Sequence, residues 1–339
     1  MTKPTKPTVP PAPSRLNPGV DFSNKADAFA AFQTTFADYM DATAEFVDDR
    51  ADEALAAALG GSLPSITGRA GQFIRVNSAG TAVEFAPVTD PKNRIINGQF
   101  RINQRGYVSG AATTGANQYT FDRWRVAVSG QNITVSGGSG DAGRIVTAPS
   151  GGMEQVIEGN NIEGGTYVLN WTGTASASVN GASRSKGETF VLPGNTNATI
   201  LFSGGTVGDV QLELGLIPTP FERLPWGQEL ALCLRYYEKS FSYGTAPAQN
   251  VANNNGAVSF VSQSVNIWEQ TVYFSVKKRI APVITTFSPN AASANWSTNF
   301  DAPTASVPNS NEASFNVRAA TPAAAGRVYY IHWTADAEI

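Results

Sequence analysis

Gln155-Val-Ile-Glu158, Thr166-Tyr-Val-Leu-Asn-Trp171, Ala175-Ser-Ala-Ser-Val179, Thr189-Phe-Val-Leu192, Ala198-Thr-Ile-Leu-Phe202 and Val207-Gly-Asp-Val-Gln-Leu-Glu-Leu214 follow one another at intervals of roughly ten residues. Each run mixes β-branched and aromatic residues with polar ones in alternation, and each is bounded by Gly, Pro, Asn or Ser. A half-buried strand reads this way, with one face against a core and the other toward water. No helical period interrupts the series, which predicts an antiparallel β-sandwich. Asn93–Ile102, Thr120–Val128 and Asn132–Val135 extend the pattern upstream, so that residues 93–224 form one domain.

The same texture resumes after Glu229–Lys239, a short stretch of helical period in which Leu230, Leu234 and Tyr237 share a face. Strands are expected at Ala257–Val261, Thr271–Val276, Val283–Phe287, Glu312–Arg318 and Gly326–Asp336, giving a second sandwich over 225–339. In front of both, Gly71–Asn77 and Thr81–Ala86 flank a Gly-containing turn and predict a β-hairpin in a short neck, 62–92. Residues 1–61 differ again. Six prolines before residue 19 favour an extended tether. From Phe22 an Ala-rich helix is predicted, with Ser23 as its N-cap and Gly60-Gly61 as its stop. Phe29, Phe32, Phe36, Tyr39, Met40, Phe46 and Val47 recur at spacings of three and four. Nine acidic residues lie between Asp21 and Glu53 against Lys25 and Arg50. A solvated helix with one apolar stripe is expected to seek copies of itself.

Composition removes several classes of function. Charged residues make up 15% of the 339-residue chain, below the roughly 25% usual for soluble domains. Net charge is −3 and the longest basic run is Lys277-Lys278-Arg279, so nucleic acid is not an expected partner. No run approaches the roughly 20 apolar residues that span a bilayer, and MTKPTKPTVPPAPSRL has no apolar signal core. Membrane insertion and signal-peptide export are not expected. Cys233 is the only cysteine, so no internal disulfide is available and assembly in a reducing cytoplasm fits.

His332 is the only histidine. It sits in the aromatic run Tyr329-Tyr-Ile-His-Trp333, where a structural role is expected, and without a second His or Cys no triad or zinc cluster can be built. Gly204-Gly-Thr-Val-Gly208 lacks the lysine of a phosphate loop. Hydrolysis of a glycosidic bond needs only two carboxylates, for which Asp122, Asp141, Glu154, Glu158 and Glu163 are candidates, but no coil or blade repeat accompanies them. A non-catalytic protein is the expectation. Sugar rings stack their C–H faces on aromatics and offer hydroxyls to amides and carboxylates. Loops holding both kinds of residue are therefore the expected glycan contacts: Trp296 with Asn295 and Asn299, Trp268, and Tyr119 with Asn117. Trp296, in a polar run, is expected to be the exposed one. Trp124, Trp171 and Trp333 are assigned to cores.

Asn93-Arg-Ile-Ile-Asn-Gly-Gln-Phe-Arg-Ile-Asn-Gln-Arg-Gly106, Tyr119-Thr-Phe-Asp-Arg-Trp124, Gly208–Gly215, Thr219-Pro-Phe-Glu-Arg223, Glu229–Lys239 and Trp333–Glu338 together resemble, in order, the receptor-binding region of tailed-phage and prophage tail fibres and spikes. Asp21–Phe29 and Arg75–Thr81 are similar to upstream parts of such fibres. The resemblance implies a homotrimer in the virion, docked to other virion proteins through its N-terminal part at tail fibre, baseplate or head, and reaching bacterial surface polysaccharide with its C-terminal domains. Residues 93–224 also resemble jelly-roll carbohydrate-binding modules, whose first strand carries Asn-Gly-x-Phe, here Asn97–Phe100, and whose last carries Asp-Val-x-Leu, here Asp209–Leu212. That likeness implies neighbouring first and last strands and a structural calcium ion held by Asp209, with no other cofactor. The fold expected is thus mainly β: an N-terminal helix, a hairpin neck and two jelly-roll-like sandwiches in a trimeric fibre. A structural head or tail decoration spike without glycan binding, and a polysaccharide depolymerase, are the rival readings.

Overall fold

The computed structural model describes residues 3–12, 19–58, 72–76, 81–87, 93–138, 143–263, 267–298, 301–319 and 323–339. The chain divides into two compact units, Met1–Val88 and Thr89–Ile339.

The first unit holds helix α1 (Gly19–Ala58) and a hairpin of β1 (Gln72–Val76) and β2 (Val83–Pro87), with Ile74 opposite Phe85. The helix begins at Gly19, a turn earlier than Ser23 suggested. Asp21 lies in the first turn, where a carboxylate complements the free N–H groups, and pairs with Lys25 at 3.0 Å. At 40 residues α1 is about 60 Å long. Phe29, Phe32, Phe36 and Tyr39 form a ladder of rings with centroids 6.2, 5.7 and 6.2 Å apart. No side chain described on α1 is buried, and Phe36 is 40% and Met40 52% exposed. Phe22, Phe29 and Phe36 follow one seven-residue series and Phe32, Tyr39 and Phe46 another, which is a coiled-coil seam. Asp27, Asp38, Asp41, Glu45, Asp48 and Asp52 fall on the opposite side.

The second unit opens with a sandwich. Its strands are β3 (Gln118–Tyr119), β4 (Arg125–Val126), β5 (Thr134–Gly138), β6 (Arg144–Thr147), β7 (Met153–Ile157), β8 (Gly165–Thr172), β9 (Ser176–Val179), β10 (Ala182–Arg184), β11 (Thr189–Leu192), β12 (Ala198–Ser203) and β13 (Thr206–Leu214). One sheet runs β10-β9-β12-β7-β4-β3 and the other β11-β8-β13-β6-β5, all antiparallel. From β6 to β13 the chain passes back and forth between the sheets, staying in one only at β9–β10. The facing residues close one core, in which Trp171 meets Phe202 edge-on at 5.3 Å and Phe100 lies 5.1 Å from Trp124. The expected core positions of Trp124 and Trp171 are therefore found, and Trp333 is buried in the second sandwich.

Asn93–Ile102 is not the strand that alternation predicts. Asn97 and Phe100 have φ of 59° and 53°, left-handed values that break an extended path. The segment nevertheless lies along β13. The Arg94 N–H donates to the Leu212 carbonyl at 2.8 Å, and the Asn93 side chain accepts from the Leu212 N–H and donates to the Val210 carbonyl. Asn97 bonds both main-chain groups of Ile102 and accepts Trp124 Nε1 on its carbonyl, which pins the turn. A Cβ at Gly98 would overlap the Val210 carbonyl, so only glycine fits there. Asn-Gly-x-Phe and Asp-Val-x-Leu thus lie side by side. Past β13, Glu213 holds Thr219 through its N–H and Oγ1, both at 2.6 Å, while Gln211 accepts from the Glu222 N–H at 2.7 Å. These contacts fold Thr219–Glu222 onto the outer face of the sheet.

Helix α2 (Trp226–Leu234) leads into the second sandwich; it stops before Tyr237, because Tyr237–Lys239 pairs as a strand. The strands are β14 (Tyr237–Lys239), β15 (Val258–Val261), β16 (Glu269–Tyr273), β17 (Val283–Phe287), β18 (Ala305–Ser310), β19 (Ser314–Ala319) and β20 (Val328–Asp336). Long β20 carries β14 and β15 end to end on one edge and β17 on the other, and β16-β19-β18 forms the facing sheet. Between them lie Phe260, Trp296, Phe315, Tyr329, Ile331 and Trp333.

The two sandwiches belong to one unit because charge is buried between them. Arg123 pairs with Glu338, at 1% and 4% side-chain exposure, and its guanidinium lies 3.6 Å from the Tyr236 ring. Arg105 meets Asp336 at 3.0 Å and Glu338 at 3.3 Å over the Tyr237 ring. Arg125 Nη1 and the Tyr119 hydroxyl donate to the main-chain oxygen of Ile339. Ile96, Ile102, Cys233 and Tyr236 form an apolar cluster alongside.

Candidate functional site

The carboxylates read as possible hydrolytic pairs are engaged elsewhere. Glu154 accepts from Arg125, Glu158 pairs with Arg235 at 3.1 Å, and Glu163 holds Arg94 and the Tyr167 hydroxyl. Asp122 accepts the Gln104 N–H and Nε2 at 2.6 and 2.7 Å. Burial pushes its carboxyl up to about 6 against the opposing Arg105 guanidinium, but it is 1% exposed and cannot meet a polymer. Asp141 lies outside the described residues. His332 is enclosed as expected: it stacks on Phe241 at 4.1 Å, with Nδ1 2.9 Å from Ser240 Oγ and Nε2 2.8 Å from the Asn253 carbonyl. Burial lowers its pKa, so it stays neutral near pH 7.

Asp209 sits at a bulge in β13 with φ 45° and accepts Gln99 Nε2 at 2.6 Å. Calcium takes about six to eight oxygens. Among the described residues no group of three or more acidic, His or Cys side chains gathers there or elsewhere.

The sugar contacts expected from sequence scatter. Trp296 is wholly buried, which corrects the expectation that it is exposed. Ser297 forms a β-bridge with Tyr330, N–H to carbonyl in both directions at 3.0 Å. That bridge turns the preceding indole inward onto Phe260, 4.7 Å away. Trp268 is half-buried and stacks on the same Phe260. Tyr119 is held between Arg105 and Arg125 at the junction of the sandwiches. Asn117 is exposed on a turn with φ 59°, and Asn295 Nδ2 donates to the Ala302 carbonyl at 3.4 Å. Asn299 lies outside the described residues.

A different surface brings the required chemistry together, the outer face of β16-β19-β18. Val272, Phe315, Val317, Ala305 and Val307 turn into the core, so the alternate residues turn out. Register places them in rows: Glu269, Arg318 and Ser306; Thr271, Asn316 and Asn309; Tyr273 and Ser314. Thr271 Oγ1 donates to Asn316 Oδ1 at 3.0 Å, and Asn316 Nδ2 donates to Glu269 Oε1 at 2.6 Å. Tyr273 stands 76% exposed at one end of this ladder. An aromatic ring beside amide, carboxylate, hydroxyl and guanidinium groups is what a pyranose needs. Sequence reasoning passed over Tyr273 because it lies inside a strand. The signal was present as parity: Glu269, Thr271 and Tyr273 alternate with Val272 and Phe274, and Ser314, Asn316 and Arg318 alternate with Phe315 and Val317.

No protein-family model matches this chain, and no curated protein sequence matches it. Among solved structures, wild-type discoidin II from Dictyostelium discoideum aligns at 11% identity and a TM-score of 0.19, over 82% of this chain and 100% of that one.

Proposed function

We propose that this chain is a non-enzymatic subunit of a phage fibre or spike that attaches the virion to a bacterial surface glycan. The observation that carries the reading is the Tyr273 ring, exposed beside the bonded ladder Thr271–Asn316–Glu269. A flat hydroxyl- and amide-rich sheet face suits an extended polymer, which needs no pocket. Asp122, Glu154, Glu158 and Glu163 are engaged by side chains of the fold, which favours recognition over bond cleavage.

The seam of α1 supports assembly from identical copies. Its aromatic edge meets no other element among the described residues, and six of the nine acids lie on the far side, so much of the negative charge is kept away from the seam. Self-association then multiplies weak sugar contacts, since linked sites raise avidity by about 100-fold or more. Docking to other virion proteins falls to the first unit, and the second unit bears the glycan face.

An array of bacterial surface polysaccharides probed with the full chain tests this. Binding to one or more of them is expected, and Tyr273→Ala should weaken it roughly tenfold. The stability of the variant should stay within about 0.5 kcal/mol of the parent, as for an exposed residue. A chain that binds no polysaccharide would be a structural spike; release of shortened oligosaccharide would make it a depolymerase. Either result overturns the proposal.

A further inference from the structure

We infer that the face of β16-β19-β18 takes an acidic polysaccharide, with Arg318 receiving the carboxylate of a sugar while Tyr273 stacks on a ring further along the chain. The inference rests on the glycan reading above and names the class of ligand.

Arg318 is the cation of the face among the described residues. Arg94, Arg125, Arg184 and Arg327 of the same unit each meet a carboxylate, whereas Arg318 meets no carboxylate or hydrogen-bond acceptor among the described residues. The carboxylate nearest in register, Glu269, is directly across the strand pair but is turned to Asn316 Nδ2 at 2.6 Å. On the other side Ser306 occupies the matching position, and its Oγ and Arg318 Nε are both shielded from water without a hydrogen bond. The guanidinium fork is thus left for an anion from outside. A planar fork matches a carboxylate with two parallel N–H···O bonds. From Ser314, opposite Tyr273, to Arg318 is four residues along β19, about 13 Å at the rise of a strand. Stacking and charge therefore act on separate parts of one extended polymer.

The test compares a bound polysaccharide of the array with the same polymer after its carboxyl groups have been chemically reduced to alcohols. The full chain is expected to bind the reduced polymer about tenfold or more weakly. Arg318→Gln should bind the native polymer as weakly as the parent binds the reduced one, and be indifferent to reduction. Arg318→Lys, which keeps the charge without the fork, should fall between. Tyr273→Ala should weaken binding to both polymers. Equal binding of native and reduced polymer by the parent, or unchanged binding by Arg318→Gln with folding verified by its melting curve, overturns the acidic-sugar inference and leaves the glycan reading standing. Binding to no polysaccharide overturns both.

Discussion

Glu338→Ala is expected to destabilise the Thr89–Ile339 unit by about 3–5 kcal/mol, the range for removing one partner of a buried ion pair. The carboxylate answers two arginines at once, Arg123 and Arg105, and both partners of the first pair are almost fully enclosed. Without it the Arg123 guanidinium keeps its donor to the Val156 carbonyl and its place over the Tyr236 ring, but its charge has no counterpart in a dry site. Urea unfolding of the full chain measures the loss. A cycle with Arg123→Met separates coupling from packing: the double variant should recover much of the stability, because an apolar replacement of both partners removes the desolvation penalty. A loss under about 1 kcal/mol for Glu338→Ala would mean that water reaches the pair and that the sandwiches are not joined through it.

Trp296→Ala separates the structural account from the reading of the sequence. As an exposed sugar contact, Trp296 could be truncated with loss of binding alone. As a wholly buried ring edge-on to Phe260, it should cost about 3–5 kcal/mol of stability instead. Thermal melting of the variant, with Tyr273→Ala alongside, reads the difference. The expected pattern is a lowered melting temperature for Trp296→Ala and an unchanged one for Tyr273→Ala. The reverse pattern would exchange their roles.

The contrast between those residues shows how far the sequence could be read. Strand alternation located β8, β9, β11, β12, β13, β17, β19 and β20 closely, because a strand with one buried face writes its period of two into the chain. It failed where left-handed residues interrupt a β-prone run. Asn97 and Phe100 break the stretch from Asn93, and Arg123, with φ 69°, interrupts the expected Thr120–Val128, of which Arg125–Val126 alone pairs as a strand. It missed β18 because Pro308 stands inside it, beside an irregular register between Ser306 and Asn309. Trp296 was misplaced by its neighbours' polarity, since Ser297 uses its main chain to bridge Tyr330 and composition is silent about that. The joining of the sandwiches was not legible either. Arg105, Arg123, Asp336 and Glu338 are ordinary surface residues until topology brings positions more than two hundred residues apart together. The motif Gln211-Leu-Glu213 with Thr219-Pro-Phe-Glu222 was visible as a pattern, and only its hydrogen bonds give the pattern a reason.

The central claim is that the outer face of β16-β19-β18 touches a glycan, and footprinting addresses it most directly. Tyrosine nitration of the full chain, mapped by mass spectrometry with and without a saturating bound polysaccharide, reports which rings the polymer covers. Tyr273 should lose most of its reactivity when the polysaccharide is present, while Tyr243, exposed elsewhere on the same unit, should not. Full reactivity of Tyr273 under saturation would contradict the account.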